Sequence, residues 1–414
     1  MARYFSFIWA LVLASTFPVS DEDKVPSFVK DQIISLKKQY PHLNFKVISP
    51  SNKNTETNQN KFFTHYKYKY FFKRFEKFET LGILPTLRKN YLYFFITPFF
   101  IFAQMLYTKK FIKNNHVDII YAHWITPQAL TALLIKKLYT IPFVFTSHSQ
   151  DANVLVKIPL IGTLLLNSIV KNSSKFTCVS QSTENNLKKH IKSKNWNDNK
   201  SLIYPMGIRD YLFDEINEEK PSHFINKENI VFSFIGRFTE IKGVENTIIE
   251  FSKLIKEYNN ITFLINGSGE LKNKYLSLIK KLGVEKNILI SENYLNINNL
   301  KFIYKNSNFI IIPSIKLRSG DTEGLPVVLL EALYFGKITI SSIESNSGEI
   351  ITNEKNGFIY DSKIEDSFKL LIQRILKNDF PIREIEKQAE IEGKNYISNN
   401  VSTIYYQHLF AKIT

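Results

Sequence analysis

Short apolar runs alternate with longer stretches of helical periodicity along most of this chain, and this alternation restricts the fold more than any other feature. The runs are rich in β-branched and aromatic residues, which is typical of strands buried on both faces of a parallel sheet. Helical stretches separate them, for example Pro127–Leu138, Val244–Tyr258 and Leu271–Leu282. This order predicts an α/β fold in which helices cover parallel sheets. The predicted strands are Val117–Ala122, Phe143–Ser147, Phe176–Ser180, Ile230–Ile235, Thr262–Asn266, Ile288–Ser291, Phe309–Pro313 and Ile338–Ser342.

A length of 414 residues predicts two domains, because a single core rarely grows beyond about 250–300 residues. A polar stretch at Lys200–Ser222, interrupted by prolines and a glycine, indicates the linker. We predict a first domain over residues 1–212, a second over 213–395, and a helix over 396–414 that packs back toward the first domain. Ten of the fourteen glycines lie between Gly236 and Gly357, so we expect the second domain to hold most loops that approach ligands closely.

The amino terminus permits two interpretations. A basic start followed by the apolar stretch Tyr4–Ala14 resembles a secretory signal. Alternatively, Phe5–Leu13 is a first buried strand, followed by a loop at Thr16–Asp23. We favour the strand, because the α/β pattern of the following chain requires an intact sheet at this end.

The composition, with 44% hydrophobic and 22% charged residues, is that of a globular protein. The single cysteine, Cys178, excludes an internal disulfide framework and a cysteine-based metal cluster. A net charge of +16 predicts an anionic partner, for which nucleic acid, anionic lipid and phosphorylated substrates all qualify.

Basic and aromatic residues alternate between Lys61 and Lys113, a segment that we call the basic aromatic region. Within it, Tyr91–Tyr107 is apolar apart from Thr97, Pro98 and Gln104, and it is shorter than the ~20 apolar residues of a membrane span. Three interpretations remain open: a packed helix, a helix lying on a membrane surface, and a span. A basic, aromatic and amphipathic helix face is suited to the headgroup region of an anionic membrane. Nucleic-acid bases would stack on the same residue types, but no nucleic-acid motif accompanies them, so we predict no nucleic-acid partner.

The stretch from Ser319 to Glu331 carries the clearest functional signal. It follows the predicted strand at Phe309–Pro313, contains two glycines, and places Pro326 where a helix would begin. A strand, a glycine-bearing loop and a helix N-terminus together form an anion site, because free backbone N–H groups point outward there. Glu323 and Glu331 would repel a phosphate unless they contact neutral hydroxyls. The stretch therefore indicates a ligand that is part phosphate and part sugar.

Two cations stand near another predicted strand end. Arg237 follows Gly236, and Lys242 follows across a short loop. A guanidinium that forks onto two oxygens and a point-charge ammonium can clamp a diphosphate; alternatively, both are solvated surface cations. The next strand ends in a glycine turn with Gly267 and Gly269, which alone is a weak signal because it is not the full dinucleotide motif.

In their order along the chain, these motifs resemble those of the retaining GT-B glycosyltransferases of the large bacterial group 1, family 4, which act in capsule, exopolysaccharide and lipopolysaccharide synthesis. The resemblance implies an α/β GT-B fold, with two Rossmann-like domains whose parallel sheets face each other across a deep cleft. The matching segments of the second half are Gly236-Arg237, Lys242-Gly243, Asn266-Gly-Ser-Gly269, Glu323-Gly-Leu-Pro326, Glu331-Ala332, Gly348-Glu349 and Asn356-Gly357-Phe358. Those of the first half are Phe17-Pro18, Val25-Pro-Ser-Phe28, Ala122-His123-Trp124, Thr146-Ser-His148-Ser-Gln-Asp151, Val179-Ser180-Gln181 and Tyr204-Pro-Met-Gly-Ile208.

Carried over by position, the resemblance assigns roles to single residues. The group expected to act in catalysis is His148, Arg237, Lys242 and Glu323, with both cations on the diphosphate, Glu323 on the donor sugar's hydroxyls and His148 approaching that sugar. The group expected to bind the donor is Gly236, Gly267, Gly269, Gly324, Leu325 and Glu331, with Glu331 on the ribose. His123 and Asp151 are weaker candidates for the acceptor side. No metal and no cofactor is expected, because Arg237 and Lys242 would supply the counter-charge.

Structural interpretations of the same residues remain open. Glu331 could be an acidic residue near a helix start, where the helix dipole favours negative charge. His148 could be a hydrogen-bonded residue at a strand end. His123 could serve packing or the acceptor, and Asp151 could orient a neighbour or simply end a turn.

The chain also departs from the family pattern in three places. The loop Val19–Val25 is acidic and lacks the usual glycine pair, and Ser149 stands where glycine commonly follows the histidine. Glu344-Ser-Asn-Ser347 replaces the glycine-rich approach to Gly348-Glu349.

The leading hypothesis is a retaining glycosyltransferase that moves a sugar from a nucleotide-diphosphate donor to a lipid-linked or surface-glycan acceptor. It would work in the cytoplasm, peripherally attached to the inner face of the plasma membrane through the basic aromatic region. The alternatives are a nucleotide-sugar epimerase of the same fold and a non-catalytic glycan- or lipid-binding relative.

Overall fold

The computed structural model describes residues 7–18, 27–51, 57–78, 83, 86–87, 90–148, 151–208, 228–291, 297–318, 320 and 322–411. The acidic loop at Val19–Val25 and most of the linker therefore lie outside the described residues. The chain divides into two compact units, one formed by residues 1–206 with 398–414 and the other by residues 207–397. Each unit is built on its own largely parallel sheet, so the predicted α/β fold class with two parallel sheets is confirmed.

The first unit contains an eight-stranded sheet in the order β3-β4-β2-β1-β5-β6-β7-β8. Only the short edge strand β3 pairs antiparallel. β1 pairs in parallel with β2 on one side and β5 on the other, which confirms the strand interpretation for Ile8–Leu13. The strands are β1 Ile8–Leu13, β2 Leu43–Pro50, β3 Asn58–Gln59, β4 Phe63–Tyr68, β5 Ile119–His123, β6 Phe143–Ser147, β7 Phe176–Cys178 and β8 Ser201–Ile203.

Helices cover both faces of this sheet, because alternate residues of β1 belong to different cores. Leu11 and Leu13 pack into one apolar cluster, whereas Ile8, Ala10 and Val12 pack into the other. The helices of this part of the chain are α1 Phe28–Gln39, α2 Leu92–Asn114, α3 Leu130–Tyr139, α4 Asp151–Val156, α5 Gly162–Asn172 and α6 Gln181–Lys188.

The second unit contains a six-stranded, wholly parallel sheet in the order β11-β10-β9-β12-β13-β14. Its strands are β9 Ile230–Arg237, β10 Ile261–Ser268, β11 Ile288–Ser291, β12 Phe309–Ile312, β13 Ile338–Ser342 and β14 Phe358–Tyr360. Its helices are α7 Val244–Ile255, α8 Lys272–Leu282, α9 Ile297–Asn306, α10 Val327–Tyr334, α11 Ser367–Leu376 and α12 Ile382–Gly393.

The last helix, α13 (Ser398–Leu409), belongs to the first unit, where it packs against α1. The Ser402 hydroxyl donates to Ser35 Oγ at 2.8 Å, and the Tyr406 ring stacks on Tyr40 with the centroids 3.7 Å apart. Leu409 is 2% exposed in the same apolar cluster as β1. The final helix therefore completes one of the two cores of the first sheet.

Helix α2 carries the apolar segment of the basic aromatic region, and both of its faces are apolar. One face is buried in the core of the first unit through Tyr93, Ile96 and Phe100, among others. The described part of the chain contains no helix that is long and apolar enough to cross a membrane, so the span interpretation is wrong. The exposed large apolar residues of α2 are Leu92, Phe94, Phe95, Phe99, Phe102 and Leu106.

We predict that Leu409→Ala lowers the free energy of unfolding of the first unit by about 2–5 kcal/mol, because it removes a buried side chain and leaves a cavity. Chemical denaturation followed by tryptophan fluorescence measures the change. Leu138→Ala is the matched control, since Leu138 is 62% exposed on α3 and its truncation should cost no more than about 0.5 kcal/mol. Equal losses from the two variants would contradict this role of α13.

Candidate functional site

Both sheets contain a point where the strand order reverses, and open α/β sheets bind ligands outside the carboxyl ends of the strands at such a point. In the second unit this point lies between β9 and β12, and in the first unit it lies between β1 and β5. The predicted site residues follow these strands or their neighbours. Each unit therefore contains one candidate site of its own.

In the second unit, β9 ends with Gly236 and Arg237, and Arg237 is exposed. A short turn then brings the Lys242 side chain over Gly236, at 3.8 Å from where a Cβ would lie. The turn ends at Gly243, whose φ of +67° favours glycine. A Cβ on Gly243 would overlap the carbonyl oxygen of Pro313, so this glycine lets the β9 turn pack against the end of β12.

Lys242 and Glu323 form an ion pair, although they are far apart in sequence. Their side chains are only 18% and 14% exposed, so water screens the pair less than a surface salt bridge. The Ser314 hydroxyl donates to the second carboxylate oxygen of Glu323. The structure thus brings together two of the predicted catalytic residues at the end of β12.

Sequence reasoning did not identify Ser314 as part of this site. Ser314 is fully buried, and its carbonyl oxygen accepts a hydrogen bond from the Ser342 hydroxyl at the end of β13. A signal was present, because a polar residue directly after a buried parallel strand lies at the ligand-binding edge of the sheet.

Glu331, predicted to contact the ribose, lies within α10 and is 0% exposed. The Tyr304 hydroxyl donates to its carboxylate at 2.7 Å, and the Tyr304 ring stacks on Phe335 with the centroids 5.0 Å apart. A phenolic O–H is the same type of donor as a sugar hydroxyl. Glu331 therefore has a hydroxyl partner within the protein, and its contact with a ribose stays a prediction. Tyr304 was missed because nothing in the sequence pairs it with Glu331.

Two of the glycines predicted to bind the donor, Gly267 and Gly269, are explained by packing against the protein's own backbone. A Cβ on Gly267 would overlap the carbonyl oxygen of Gly236, and a Cβ on Gly269 would lie 2.6 Å from that of Phe238. Donor contacts at these glycines, and at Gly324 and the half-buried Leu325, stay predictions.

In the first unit, His123 ends β5 and His148 follows β6, and these strands are neighbours. His123 Nδ1 lies 3.2 Å from His148 Nε2. The His148 ring packs against Phe28 and Trp124, at centroid distances of 5.1 Å and 4.9 Å. Trp124 has φ 75° and ψ 152°, a conformation that bulky residues rarely adopt and that is common at functional sites.

Asp151 fixes the backbone around this histidine pair. Its carboxylate accepts hydrogen bonds from the Ser147 hydroxyl at 2.6 Å and from the backbone N–H groups of Ile125 at 2.9 Å and His148 at 3.3 Å. Asp151 thus ties the chain after β5 to the chain after β6. These contacts support the interpretation that Asp151 orients neighbouring groups. An acceptor role for Asp151 stays a prediction.

Burial shifts the pKa values of all three side chains. It lowers the pKa of His148 to about 3, and burial together with the neighbouring His148 holds the pKa of His123 well below its usual value. Both rings are therefore neutral at pH 7. Burial raises the pKa of Asp151 to about 6, although its hydrogen bonds oppose the shift.

We predict that Asp151→Asn changes the pH dependence of stability. The pKa of Asp151 is raised on folding, so between pH 4 and pH 6 the folded state holds more protons than the unfolded state, and this carboxyl makes the fold less stable as the pH rises. The pKa values of His123 and His148 are lowered on folding, so these residues act in the opposite sense, but they remain in both proteins. The stability of Asp151→Asn relative to wild type should therefore increase from pH 4 to pH 7 in denaturation curves. A difference independent of pH would contradict the raised pKa.

Among the described residues, no group of three or more His, Cys, Asp or Glu side chains could hold a metal ion. Metal independence stays a prediction.

Comparison with known proteins gives matches in both units. The family model for group 1 glycosyl transferases matches residues 215–395, and the model for glycosyltransferase family 4 matches residues 66–202. The chain is 27% identical to the capsular polysaccharide biosynthesis glycosyltransferase CapH of Staphylococcus aureus over 315 residues, which is 70% of this chain and 80% of CapH.

Solved structures match over almost the whole chain. Sucrose-phosphate synthase of Thermosynechococcus elongatus superposes with a TM-score of 0.73 at 13% identity, covering 97% of this chain and 98% of the other. HepE of Anabaena in complex with UDP-glucose superposes with a TM-score of 0.64 at 12% identity, with the same coverage. Together, the two family models cover more than half of the chain. The protein therefore belongs to the group 1, family 4 glycosyltransferases of the GT-B fold.

Proposed function

We propose that the protein is a retaining glycosyltransferase that transfers a sugar from a nucleoside diphosphate sugar to a lipid-linked or surface-glycan acceptor. The observation that carries the proposal is the largely buried contact of Lys242 with Glu323, where the strand order of the second sheet reverses. One side chain is suited to a diphosphate and the other to sugar hydroxyls. Their contact places the two binding functions beside each other.

The two cations match the chemistry of the leaving group. Breaking the sugar–phosphate bond leaves an additional negative charge on the diphosphate, and preorganised cations in a water-poor site stabilise this charge. Lys242 is held by Glu323 and Ser314 through a chain of contacts, so it needs little reorganisation during the reaction. Arg237, which is exposed at the end of β9, supplies a second positive charge. This pair supports a reaction without a metal ion.

Glu323 suits the donor sugar, because a carboxylate accepts hydrogen bonds from vicinal hydroxyls and also favours the positive charge of an oxocarbenium-like transition state. The complex of HepE with UDP-glucose supports a nucleotide sugar as the donor. Retention rests on the resemblance of the motifs around Glu323 and Glu331 to those of retaining enzymes. It requires that the acceptor oxygen attack from the side on which the diphosphate leaves.

An anionic membrane surface is the proposed partner of the exposed face of α2. Phe95 is 76% exposed and Phe99 is 55% exposed. The Phe99 ring contacts Phe71 at a centroid distance of 5.4 Å, and Phe71 contacts Phe72 at 5.2 Å. These rings join α2 to Phe72, which is 72% exposed.

Positively charged residues follow these aromatic rings in the sequence. Lys73 and Arg74 follow Phe72 and are exposed, while Lys109 and Lys110 lie toward the end of α2. No acidic residue occurs in α2 or between Thr57 and Phe75. Exposed rings can enter the headgroup region while the cations pair with lipid phosphates. Peripheral attachment to the inner face of the plasma membrane would bring the enzyme to a lipid-linked acceptor.

We predict that Lys242→Met lowers kcat/KM by about 10²–10³-fold, because it removes one charge that stabilises the leaving diphosphate. A thermal-shift screen across nucleotide sugars first identifies the donor, since a bound donor stabilises the folded state by mass action. Release of nucleoside diphosphate is then measured with a bacterial lipid extract as acceptor, and the anomeric configuration of the product is determined by NMR.

Lys253→Met is the matched control, because Lys253 pairs with Glu250 and Asp366 on α7 and near α11, away from the site. This variant should keep wild-type activity. Conversion of the donor into an isomeric nucleotide sugar, without acceptor and without net release of nucleoside diphosphate, would favour the epimerase. Loss of wild-type activity in EDTA would contradict metal independence, and an inverted product would contradict retention.

We predict that Phe95→Ser combined with Phe102→Ser reduces binding to vesicles of phosphatidylglycerol at least about tenfold, because two exposed rings no longer enter the interface. Flotation of the purified protein with vesicles measures the bound fraction. Phosphatidylcholine vesicles should bind the wild-type protein weakly, since they offer no excess negative charge.

The control for membrane binding is Leu138→Ser combined with Leu164→Ser, which removes two exposed apolar side chains from α3 and α5. This control should float as wild type does. Unchanged flotation of the phenylalanine variant would exclude α2 as the membrane surface. Equal binding of the wild type to both lipids would contradict a requirement for an anionic surface.

A further inference from the structure

The Glu323–Gly324 peptide group is held from the turn that follows β13. Asn346 Nδ2 donates a hydrogen bond to the carbonyl oxygen of Glu323. The side chain of Glu323 is held at the same time by Ser314 and Lys242. Both the carboxylate and the main-chain carbonyl of Glu323 are therefore fixed, each by a different segment of the second unit.

The turn that carries Asn346 is itself braced by buried hydroxyl groups. Ser345 Oγ donates to the carbonyl oxygen of Ser342 at 2.6 Å, lies 2.8 Å from Ser347 Oγ, and accepts from the Ser347 N–H at 3.2 Å. All three serines are 0% exposed. The hydroxyls of Ser345 and Ser347 belong to the sequence that replaces the family's glycine-rich approach, so this replacement supports the turn that carries Asn346.

Asparagine meets two requirements at this position that glycine cannot meet together. Residue 346 has φ 59° and ψ 12°, the left-handed conformation that glycine and asparagine adopt most readily. Glycine would satisfy the backbone but would have no side chain to donate a hydrogen bond. Asparagine satisfies the backbone and also holds the Glu323 carbonyl.

Fixing this carbonyl also fixes the direction of the next N–H group. In a planar trans peptide, C=O and N–H point in opposite directions. Because Asn346 holds the Glu323 carbonyl, the Gly324 N–H points away from the turn after β13. Within the described part of the chain, this N–H donates to no backbone carbonyl. An outward N–H in a loop that leads into α10 is suited to an anionic oxygen.

We propose that Asn346 is a positioning residue that aims the Gly324 N–H at the donor diphosphate. The inference rests on the proposed function, because it takes the ligand of the second unit to be a nucleoside diphosphate sugar. Asn346 touches the Glu323 carbonyl and acts through it. Its effect is therefore on binding of the phosphate, in the ground state and in the transition state alike.

The test is Asn346→Gly, which keeps the left-handed conformation and removes only the amide. Calorimetry with UDP, GDP and ADP first identifies the nucleotide that the wild-type protein binds best. Affinity of the variant for this nucleotide should fall about tenfold, which is the effect of one hydrogen bond to a charged group. The donor KM should rise by a similar factor while kcat stays within about twofold, because uniform binding is lost.

Asn378→Gly is the matched control, since Asn378 has φ 60° in the same unit and is exposed after α11. It should change neither affinity nor KM, and its melting temperature shows the cost of such a substitution alone. Wild-type affinity in Asn346→Gly, or a lower kcat at unchanged KM, would overturn the role of Asn346 and leave the proposed function standing. If the wild-type protein binds none of the three nucleotides, the proposed function and the inference both fail.

Discussion

The candidate donor site depends on Glu323, because four segments of the second unit meet at its carboxylate and its main-chain carbonyl. Lys242 comes from the turn after β9, Ser314 from the end of β12, and Asn346 from the turn after β13. These strands are neighbours in the order β9-β12-β13, so parallel pairing alone brings their carboxyl ends to one edge. The site is therefore a direct consequence of the strand order.

The strand order explains why so much of the candidate donor site could be predicted from the sequence. Continuous apolar runs marked β9, β12 and β13, and the residues after each run had to lie at the same edge of the sheet. Lys242 and Glu323 could thus be named before their contact was known. What could not be predicted was the hydrogen bonding between side chains: Ser314 and Asn346 give no pattern that distinguishes them from other polar loop residues. β4 was missed for a different reason, since His65 and Lys67 interrupt its apolar pattern although both are buried.

Glu331 shows a limit of reasoning from motif spacing. Spacing placed it within a helix, although it lies beyond the first turn of α10. Spacing could not show that the carboxylate is enclosed and bound to the Tyr304 hydroxyl. A buried carboxylate without a partner would be costly, so the tyrosine stabilises the ligand-free state of the site. A ribose hydroxyl that approached Glu331 would have to share or replace this donor. Nucleotide binding at α10 would then include a rearrangement of protein contacts, which the motif alone does not imply.

The two proposed anionic partners, the nucleotide sugar and the membrane surface, would bind to parts of the chain that differ in net charge. In the candidate donor site, Lys242 is neutralised by Glu323, so this site adds little to the net charge of +16. The basic aromatic region, in contrast, contains eleven lysines and arginines against two glutamates between Lys61 and Lys113. More than half of the net charge thus lies in this region of the sequence, which includes α2. A single nucleotide sugar needs only a few cations, whereas a surface of many lipid phosphates can pair with many exposed cations at once. The excess charge of the chain is therefore better explained by an extended anionic surface than by the donor.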